Sequence, residues 1–237
     1  MPARILGGIA VHLLTASGAV CGLIALHHAA AHDWAHSLLW LGAAAIIDAI
    51  DGPIARRVEV KTSLPRFSGA RLDLVVDYFN YCVVPAFIVM ESGIAGAGFG
   101  ILAGAVILLS SLFHFCDLEA KTDDGFFVGF PAIWNAVCLY LFVFATGPLA
   151  TLLAIFALAA ATFAPVKWIH PLRVRRLRIP TAMITLLWSG AALYEVLNAF
   201  PGSFAAKAVF SFAAVYLLAI GVFRTFIWRD PGDDPAN

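Results

Sequence analysis

Apolar runs long enough to cross a membrane recur along the whole chain, and they restrict it to one environment. Hydrophobic residues make up 62% of the 237 residues, charged residues only 13%, and the mean hydropathy is +0.90. An α-helix of about 20 apolar residues matches the ~30 Å hydrocarbon core of a bilayer. A soluble domain of this size is far less apolar. The sequence therefore predicts an all-α integral membrane protein.

The hydropathy pattern predicts a bundle of about eight membrane-spanning helices in a single domain that covers the whole chain. The predicted spans are residues 7–27, 35–55, 71–91, 96–115, 127–145, 149–165, 179–197 and 203–227. Small residues such as Gly18, Gly22 and Gly42 predict close packing between helices. The polar tail from about residue 230 is predicted to be disordered.

The basic residues predict how these helices are oriented. Lysine and arginine accumulate in cytoplasmic loops. With an even number of spans both termini lie on one side, and all 15 lysine and arginine residues except Lys207 fall on that side. Both termini, and the loop between the second and third spans, are therefore expected in the cytoplasm. The formal net charge of zero argues against a nucleic-acid partner.

Four aspartates lie inside otherwise apolar sequence around the second and third spans. Asp48 and Asp51 are three residues apart and Asp73 and Asp77 are four apart, so each pair lies on one face of its helix. Both pairs are expected within about two turns of the cytoplasmic ends of their spans. Clustered carboxylates in a low dielectric require protonation or divalent cations, and oxygen ligands favour Mg²⁺, Mn²⁺ or Ca²⁺ over zinc. The sequence therefore predicts a metal site where the two acidic faces meet.

This pattern resembles the signature of the CDP-alcohol phosphotransferase family of membrane enzymes. The positions that match the signature are Asp48, Asp51, Gly52, Ala55, Arg56, Gly69, Asp73 and Asp77. The resemblance implies transfer of a phosphatidyl or similar group from a CDP-linked donor to an alcohol, with release of CMP. Twelve residues separate Arg56 from Gly69, more than in most of the family. This longer gap is similar to that of a bacterial branch that uses choline, as are residues 121–135 and 165–178.

The resemblance also implies roles for the aspartates and for the molecules that they contact. Asp48, Asp51 and Asp73 would be metal ligands, and Asp77 would either share in metal binding or accept the proton of the alcohol. The cofactor would be Mn²⁺ or Mg²⁺, as two ions about 3.5 to 4 Å apart. The donor would be CDP-diacylglycerol and the acceptor would be choline. The enzyme would lie in the bacterial inner membrane, in contact with membrane lipids. A homodimer is usual in the family.

The residues around the aspartates indicate where the donor nucleotide binds. Gly52 and Ala55 are one turn apart and leave space for a flat ring or a sugar, and the family uses this region for the cytidine nucleotide. Arg56 suits a phosphate, and a helix that starts after Gly69 directs free N–H groups toward one. Thr15 resembles a threonine near the start of family members, but it suits equally well a hydrogen bond within its own helix or to a neighbour.

Aromatic residues near the acids are candidates to hold the acceptor, because aromatic faces bind quaternary ammonium groups. Tyr78, Tyr81 and Trp134 are predicted as walls of a choline site, with Asn135 beside them. A fifth span that begins near residue 127 would place Trp134 and Asn135 about as deep as Asp77. In a chain with 13% aromatic residues, many of these rings instead face lipid or core.

Polar residues in the other loops carry weaker signals. Lys121 and Arg173 are predicted to hold the phosphate of the phosphatidyl group, although the positive-inside bias and anionic headgroups also explain basic residues there. Four histidines cluster on the side opposite the acids: His27, His28, His32 and His36. Their spacing permits loose metal binding, but they lie across the membrane from the acids and receive no role in the predicted reaction.

Two other functions are compatible with the sequence. The first keeps the chemistry but uses serine, inositol or glycerol phosphate as the acceptor. The second is a cation- or proton-coupled transporter, in which intramembrane acids carry the ion. Transporters often contain repeated halves or helices broken at the midplane. Here the acids lie near one edge of the membrane with arginines beside them, which favours phosphate chemistry.

Overall fold

The computed structural model describes residues 2–122, 125–169 and 177–228, and this part of the chain is mainly helical. The helices are α1 (Pro2–Ala30), α2 (Trp34–Arg57), α3 (Val60–Ser63), α4 (Gly69–Tyr78), a π-helical turn (Phe79–Val83), α5 (Val84–Glu91), α6 (Gly100–Cys116), α7 (Trp134–Phe144), α8 (Pro148–Thr162), α9 (Arg178–Leu197) and α10 (Phe204–Phe226). Two three-residue strands, β1 (Phe126–Val128) and β2 (Lys167–Ile169), pair in antiparallel fashion. The predicted class, an all-α integral membrane protein, is confirmed.

The described helices differ in whether they are long enough to span a bilayer. Five are both long and apolar enough: Ile5–Ala30, Trp34–Arg57, Gly69–Glu91, Arg178–Leu197 and Phe204–Phe226. Three more are apolar but have only 17, 11 and 15 residues, namely α6, α7 and α8. Each predicted span overlaps one of these eight segments. How many cross the membrane, and on which side the termini lie, stay predictions, and the predicted disordered tail lies outside the described residues.

The predicted start of the fifth span near residue 127 is wrong. Residues 126–128 form β1, which pairs with β2, and α7 begins only at Trp134. Gly129 follows β1 with φ of +76°, and a Cβ there would overlap the Thr162 carbonyl oxygen. Only glycine takes this conformation without strain and allows so close an approach, so the chain turns here instead of continuing as a helix. Trp134 is therefore the first residue of its helix and does not lie two turns inside it.

The chain divides into two compact units. The first comprises Met1–Leu108 and Ile133–Leu139, and in it α1 packs along α2 and against α4 and α5. The second comprises Leu109–Ala132 and Tyr140–Asn237, where α10 packs against α9 and β2. The paired strands β1 and β2 of this unit carry the buried residues Phe126 and Ile169. The four aspartates all belong to the first unit.

A short turn joins α1 to α2 and is closed by hydrogen bonds. His32 has φ of +57°, and Asp33 caps α2 by accepting a hydrogen bond from the backbone N–H of His36 at 3.2 Å. A hydrogen bond from the His36 side chain, supported by one from His28, lowers the pKa of Asp33 from its ordinary value and outweighs the slight burial that opposes it. The turn is thereby fixed with an ionised carboxylate at its centre.

Two glycines of α1 allow the segment of α4 and the π-helical turn to approach it closely. A Cβ on Gly18 would lie 2.9 Å from Val76 Cγ1, and a Cβ on Gly22 would overlap Asn80 Oδ1. Asn80 Nδ2 donates to the Gly18 carbonyl oxygen at 3.0 Å. Close packing through Gly18 and Gly22 is thus confirmed. The same prediction for Gly42 is wrong, because no atom of the described residues lies within 4 Å of a Cβ built there.

This difference predicts opposite effects for one substitution at two glycines. Gly22→Ala should destabilise the fold by about 1–3 kcal/mol, because the added methyl group displaces Asn80 from α1. Gly42→Ala should stabilise it by roughly 0.5–1 kcal/mol, since alanine is favoured over glycine inside a helix and the space is open. Denaturant titration of both variants in detergent micelles measures the two free energies of unfolding. Equal effects would contradict the close approach at Gly22.

Candidate active site

Helices α2 and α4 bring the four aspartates to one small cavity. Asp48 and Asp51 line it from α2, Asp73 and Asp77 from α4, and the cavity has a volume of about 10 Å³. Carboxylate oxygens of Asp48, Asp73 and Asp77 all lie within 4.8 Å of one another. The other residues that line the cavity are Thr15, Ala44, Ile47, Val76, Asn80 and Tyr81. The two acidic helix faces recognised in the sequence therefore meet.

Local sequence explains why these helices begin and end where they do. α4 starts at Gly69 because Ser68 caps it, its hydroxyl accepting a hydrogen bond from the Arg71 N–H at 3.3 Å. The unusually long gap between Arg56 and Gly69 contains α3, whose Val60 side chain is buried. The additional residues therefore form a short helix anchored by an apolar side chain.

Two hydroxyl groups orient the aspartates of α2. Tyr81 Oη donates to Asp48 Oδ2 at 2.6 Å, and Thr15 Oγ1 donates to Asp51 Oδ2 at 2.6 Å. Asp51 is only 5% exposed, so its hydrogen bond to Thr15 helps to offset the cost of burying a carboxylate. The Thr15 bond is the hydrogen bond to a neighbouring helix that the sequence left open for this residue. The bond between Tyr81 and Asp48 was not predicted, although Tyr81 follows Asp77 by four residues and so shares its helix face.

The π-helical turn lies directly after α4 and includes Tyr81. A π-helical turn contains one more residue than an α-helical turn and therefore rotates the side chains that follow it. Here it spans Phe79–Val83 and carries both Asn80, which bonds α1, and Tyr81, which bonds Asp48. Single π-helical turns are frequent at functional sites. This one joins the acidic cavity to both neighbouring helices.

The donor atoms at the cavity are suited to a hard divalent cation. Three carboxylates offer oxygens within 4.8 Å of one another, and the fourth, Asp51, lines the same cavity. A volume of about 10 Å³ accommodates about one water-sized sphere. Oxygen donors without nitrogen or sulfur are typical of Mg²⁺, Mn²⁺ and Ca²⁺ sites. The aspartate group can therefore hold a metal ion, and the residues present fit one.

The residues predicted to bind the nucleotide and its phosphates lie in the adjoining helical turns. Arg56 is exposed in the last turn of α2, and its Nη1 lies 3.4 Å from the position of a Cβ on Gly52. Ala55 is half-buried on the same helix. Gly69 is the first residue of α4, and a Cβ there would lie 3.1 Å from Cε1 of His12. The guanidinium of Arg56 therefore points back along α2, toward the helical turn that contains Asp51 and Gly52.

The predicted acceptor contacts are not all brought to the cavity. Of the four, all within the described residues, only Tyr81 lines it. Tyr78 Oη donates to the Leu108 carbonyl oxygen at 3.2 Å, and Asn135 Oδ1 accepts from the Ala136 N–H at 2.8 Å. Trp134 is 1% exposed at the start of α7. The depth argument for Trp134 and Asn135 is wrong because it assumed a helix from residue 127.

Of the two residues predicted to contact the lipid phosphate, the structure describes only Lys121, which lies in the second unit. Lys121 is exposed, forms an isolated β-bridge with Phe127 and places its ammonium 5.5 Å from the centre of that ring. This contact is a cation–π interaction, which holds the lysine side chain against β1. Arg173 lies outside the described residues. A phosphate-binding role stays a prediction for both.

The fold and the cavity define a membrane protein with a group of aspartates that could hold a metal ion. The chain is 45% identical over 195 residues to a phosphatidylcholine synthase from Bradyrhizobium diazoefficiens, covering 82% of this chain and 73% of that protein. It is 38% identical over 216 residues to one from Rhizobium johnstonii, covering 91% and 89%, and 42% identical over 178 residues to one from Pseudomonas aeruginosa, covering 75% of each. No family model matches the chain. From these relatives, the chain belongs to the phosphatidylcholine synthase family.

Proposed function

We propose that this protein transfers the phosphatidyl group of CDP-diacylglycerol to choline, forming phosphatidylcholine and CMP. The observation that carries the proposal is the meeting of four aspartates at one cavity in a chain of this family. In the reaction, the hydroxyl oxygen of choline attacks the phosphorus that bears diacylglycerol. The bond from that phosphorus to the CMP oxygen breaks, and the hydroxyl proton passes to a base.

Each aspartate has a distinct part in this proposal. Asp48, Asp51 and Asp73 hold the metal, with Tyr81 and Thr15 fixing the orientation of the first two. Bound Mn²⁺ or Mg²⁺, as two ions, would neutralise the diphosphate and stabilise the CMP leaving group. Asp77 belongs to the same carboxylate group and contributes to metal binding. It also accepts the proton of choline, because a neutral alcohol is a weak nucleophile and a carboxylate within hydrogen-bond reach activates it.

The charges around the cavity support the placement of the donor. Arg56, in the last turn of α2, suits the diphosphate because a guanidinium offers paired N–H donors to phosphate oxygens. The positive-inside pattern supports an active site facing the cytoplasm at the bacterial inner membrane, with the acyl chains of the donor remaining among the lipids. Lys121 and Arg173 are proposed to contact the lipid phosphate, and the protein is proposed to act as a homodimer.

A test of acceptor and metal follows from this proposal. Purified protein with labelled CDP-diacylglycerol should release CMP when choline and Mn²⁺ or Mg²⁺ are both present. Removing the metal with a chelator should stop the release, and adding it back should restore it, because no other cation at the cavity would then neutralise the diphosphate. Labelled CMP and phosphatidylcholine are separated and counted.

The same assay with serine, inositol and glycerol phosphate supplies the control. CMP release with one of these alcohols and none with choline would contradict choline as the acceptor, but it would support transfer of the phosphatidyl group to another alcohol. Absence of release with any alcohol, by protein that stays folded and loaded with metal, would contradict the reaction itself and favour ion transport.

A further inference from the structure

A second group of metal-binding side chains lies at the turn between α1 and α2. His28 comes from the last turn of α1, Asp33 from the turn, and His36 from the first turn of α2. One nitrogen or oxygen atom from each of the three lies within 4.8 Å of the others. Two imidazoles and a carboxylate form a donor set unlike the all-oxygen set of the acidic cavity.

The two imidazoles converge on the same atom. His28 Nδ1 lies 3.1 Å from Asp33 Oδ2, and His36 Nδ1 lies 2.8 Å from that oxygen. The two rings are stacked, with centroids 5.2 Å apart and planes inclined by 22°. Because both Nδ1 atoms already face one carboxylate, a cation could bind between the three side chains without a large change in their conformations. His36 Nδ1 also lies 3.0 Å from the other carboxylate oxygen, Asp33 Oδ1.

We propose that His28, Asp33 and His36 bind a divalent transition-metal ion, of which Zn²⁺ is the best match. Zinc binds imidazole nitrogen and carboxylate oxygen at about 2.0–2.2 Å, which puts tetrahedral ligands roughly 3.3 Å apart. The observed separations of 2.8 and 3.1 Å are shorter than that value by about 0.5 and 0.2 Å, so the side chains would move apart only slightly to admit the ion. Mg²⁺ and Ca²⁺ take oxygen ligands and fit this set poorly.

The backbone at the turn holds the three ligands in place before any ion binds. Asp33 is the N-cap of α2 and keeps its Oδ1 on the backbone N–H of His36 at 3.2 Å, so Oδ2 remains directed at the rings. The His36 side chain is 61% exposed, and the His28 side chain is 30% exposed. Solvent therefore reaches the group, and water can complete the coordination. Binding would clamp the end of α1 to the start of α2.

This site is separate from the proposed reaction. Asp48 follows His36 by 12 residues on the same helix, which corresponds to roughly 18 Å along α2 at about 1.5 Å per residue. The two groups therefore occupy different parts of the α1–α2 pair. The inference does not rest on the proposed function, and either can fail alone.

The test is Zn²⁺ binding by the full chain, purified in detergent without a histidine tag. Excess Mg²⁺ is present throughout to occupy the oxygen-only cavity, and Zn²⁺ is added in a calorimetric titration. One Zn²⁺ per chain is expected. His28→Gln and His36→Gln should each weaken binding at least as much as loss of an outer-shell partner, which typically costs about 10–100-fold. Zn²⁺ should also raise the Tm of the wild-type chain and leave that of the double variant unchanged.

His27→Gln is the matched control, because His27 precedes His28 in α1 but does not belong to the group. It should bind Zn²⁺ as the wild-type chain does. Circular dichroism and elution as a single species in size-exclusion chromatography establish that each variant is folded. The proposal is overturned if the folded H28Q/H36Q variant binds Zn²⁺ with wild-type affinity. It is equally overturned if the wild-type chain binds no Zn²⁺ in saturable fashion, which would leave the group as a carboxylate bridging two imidazoles.

Discussion

Asp77→Asn should lower choline-dependent CMP release by about 10²–10⁴-fold, the range associated with loss of a positioned general base. Asparagine keeps the size of the side chain, but its amide accepts no proton at neutral pH and is a weaker metal ligand. Asp77 lines the acidic cavity, with a carboxylate oxygen within 4.8 Å of those of Asp48 and Asp73. Initial rates at saturating CDP-diacylglycerol and choline give the loss directly.

Measuring the binding of CDP-diacylglycerol to the Asp77→Asn variant shows whether a loss of activity comes from the reaction step or from misfolding. We expect the Asp77→Asn variant to bind CDP-diacylglycerol, because the predicted contacts of the nucleotide lie on α2 and at the start of α4. Asp117→Asn is the matched control, since Asp117 is exposed and its Oδ1 accepts the Glu119 N–H at 2.9 Å in the second unit. It should turn over normally. Normal turnover by Asp77→Asn would exclude Asp77 from the chemistry.

The positions of the aspartates could be predicted from the sequence because helical geometry is local. Spacings of three and four residues put each pair on one face, and a charged group inside apolar sequence must meet a partner. Those two facts sufficed to expect Asp48 and Asp77 near one cavity without knowing how the helices pack. That glycines of α1 and α2 would allow close packing was predictable, but which of them do so was not. Gly22 faces Asn80 and Gly42 faces open space, and only the packed neighbour distinguishes them.

The surroundings of the aspartates could not be predicted, because they depend on contacts between distant segments. The π-helical turn at Phe79–Val83 leaves Tyr78 and Tyr81 with different partners, although both looked equally suited to an acceptor site. Trp134 begins α7 instead of lying within it, since residues 126–128 form β1, whose antiparallel partner β2 lies some 40 residues further along the chain. Apolar sequence alone does not distinguish a buried strand from the first turns of a helix.

The hydroxyl groups of Tyr78 and Tyr81 have different partners, so we expect a large loss of activity when the Tyr81 hydroxyl is removed. Tyr81→Phe removes the hydroxyl that donates to Asp48 at 2.6 Å but retains the ring. Groups that orient a metal ligand typically contribute about 10–100-fold to metal affinity or activity. We therefore expect CMP release at limiting Mn²⁺ to fall by about that factor, and to recover largely as Mn²⁺ is raised. Rates measured across a Mn²⁺ titration give the shift.

Tyr78→Phe is the matched control, because it loses the same hydroxyl three residues away, where the partner is the Leu108 carbonyl oxygen. Its Mn²⁺ requirement should equal that of the wild-type chain. Tyr81→Leu removes the ring as well, so a further rise in KM for choline in that variant, absent from Tyr81→Phe, would identify the ring as an acceptor contact. If Tyr81→Phe shows the wild-type response to Mn²⁺, the hydroxyl does not orient Asp48 for metal binding, and the bond between them serves only to hold α2 against the π-helical turn.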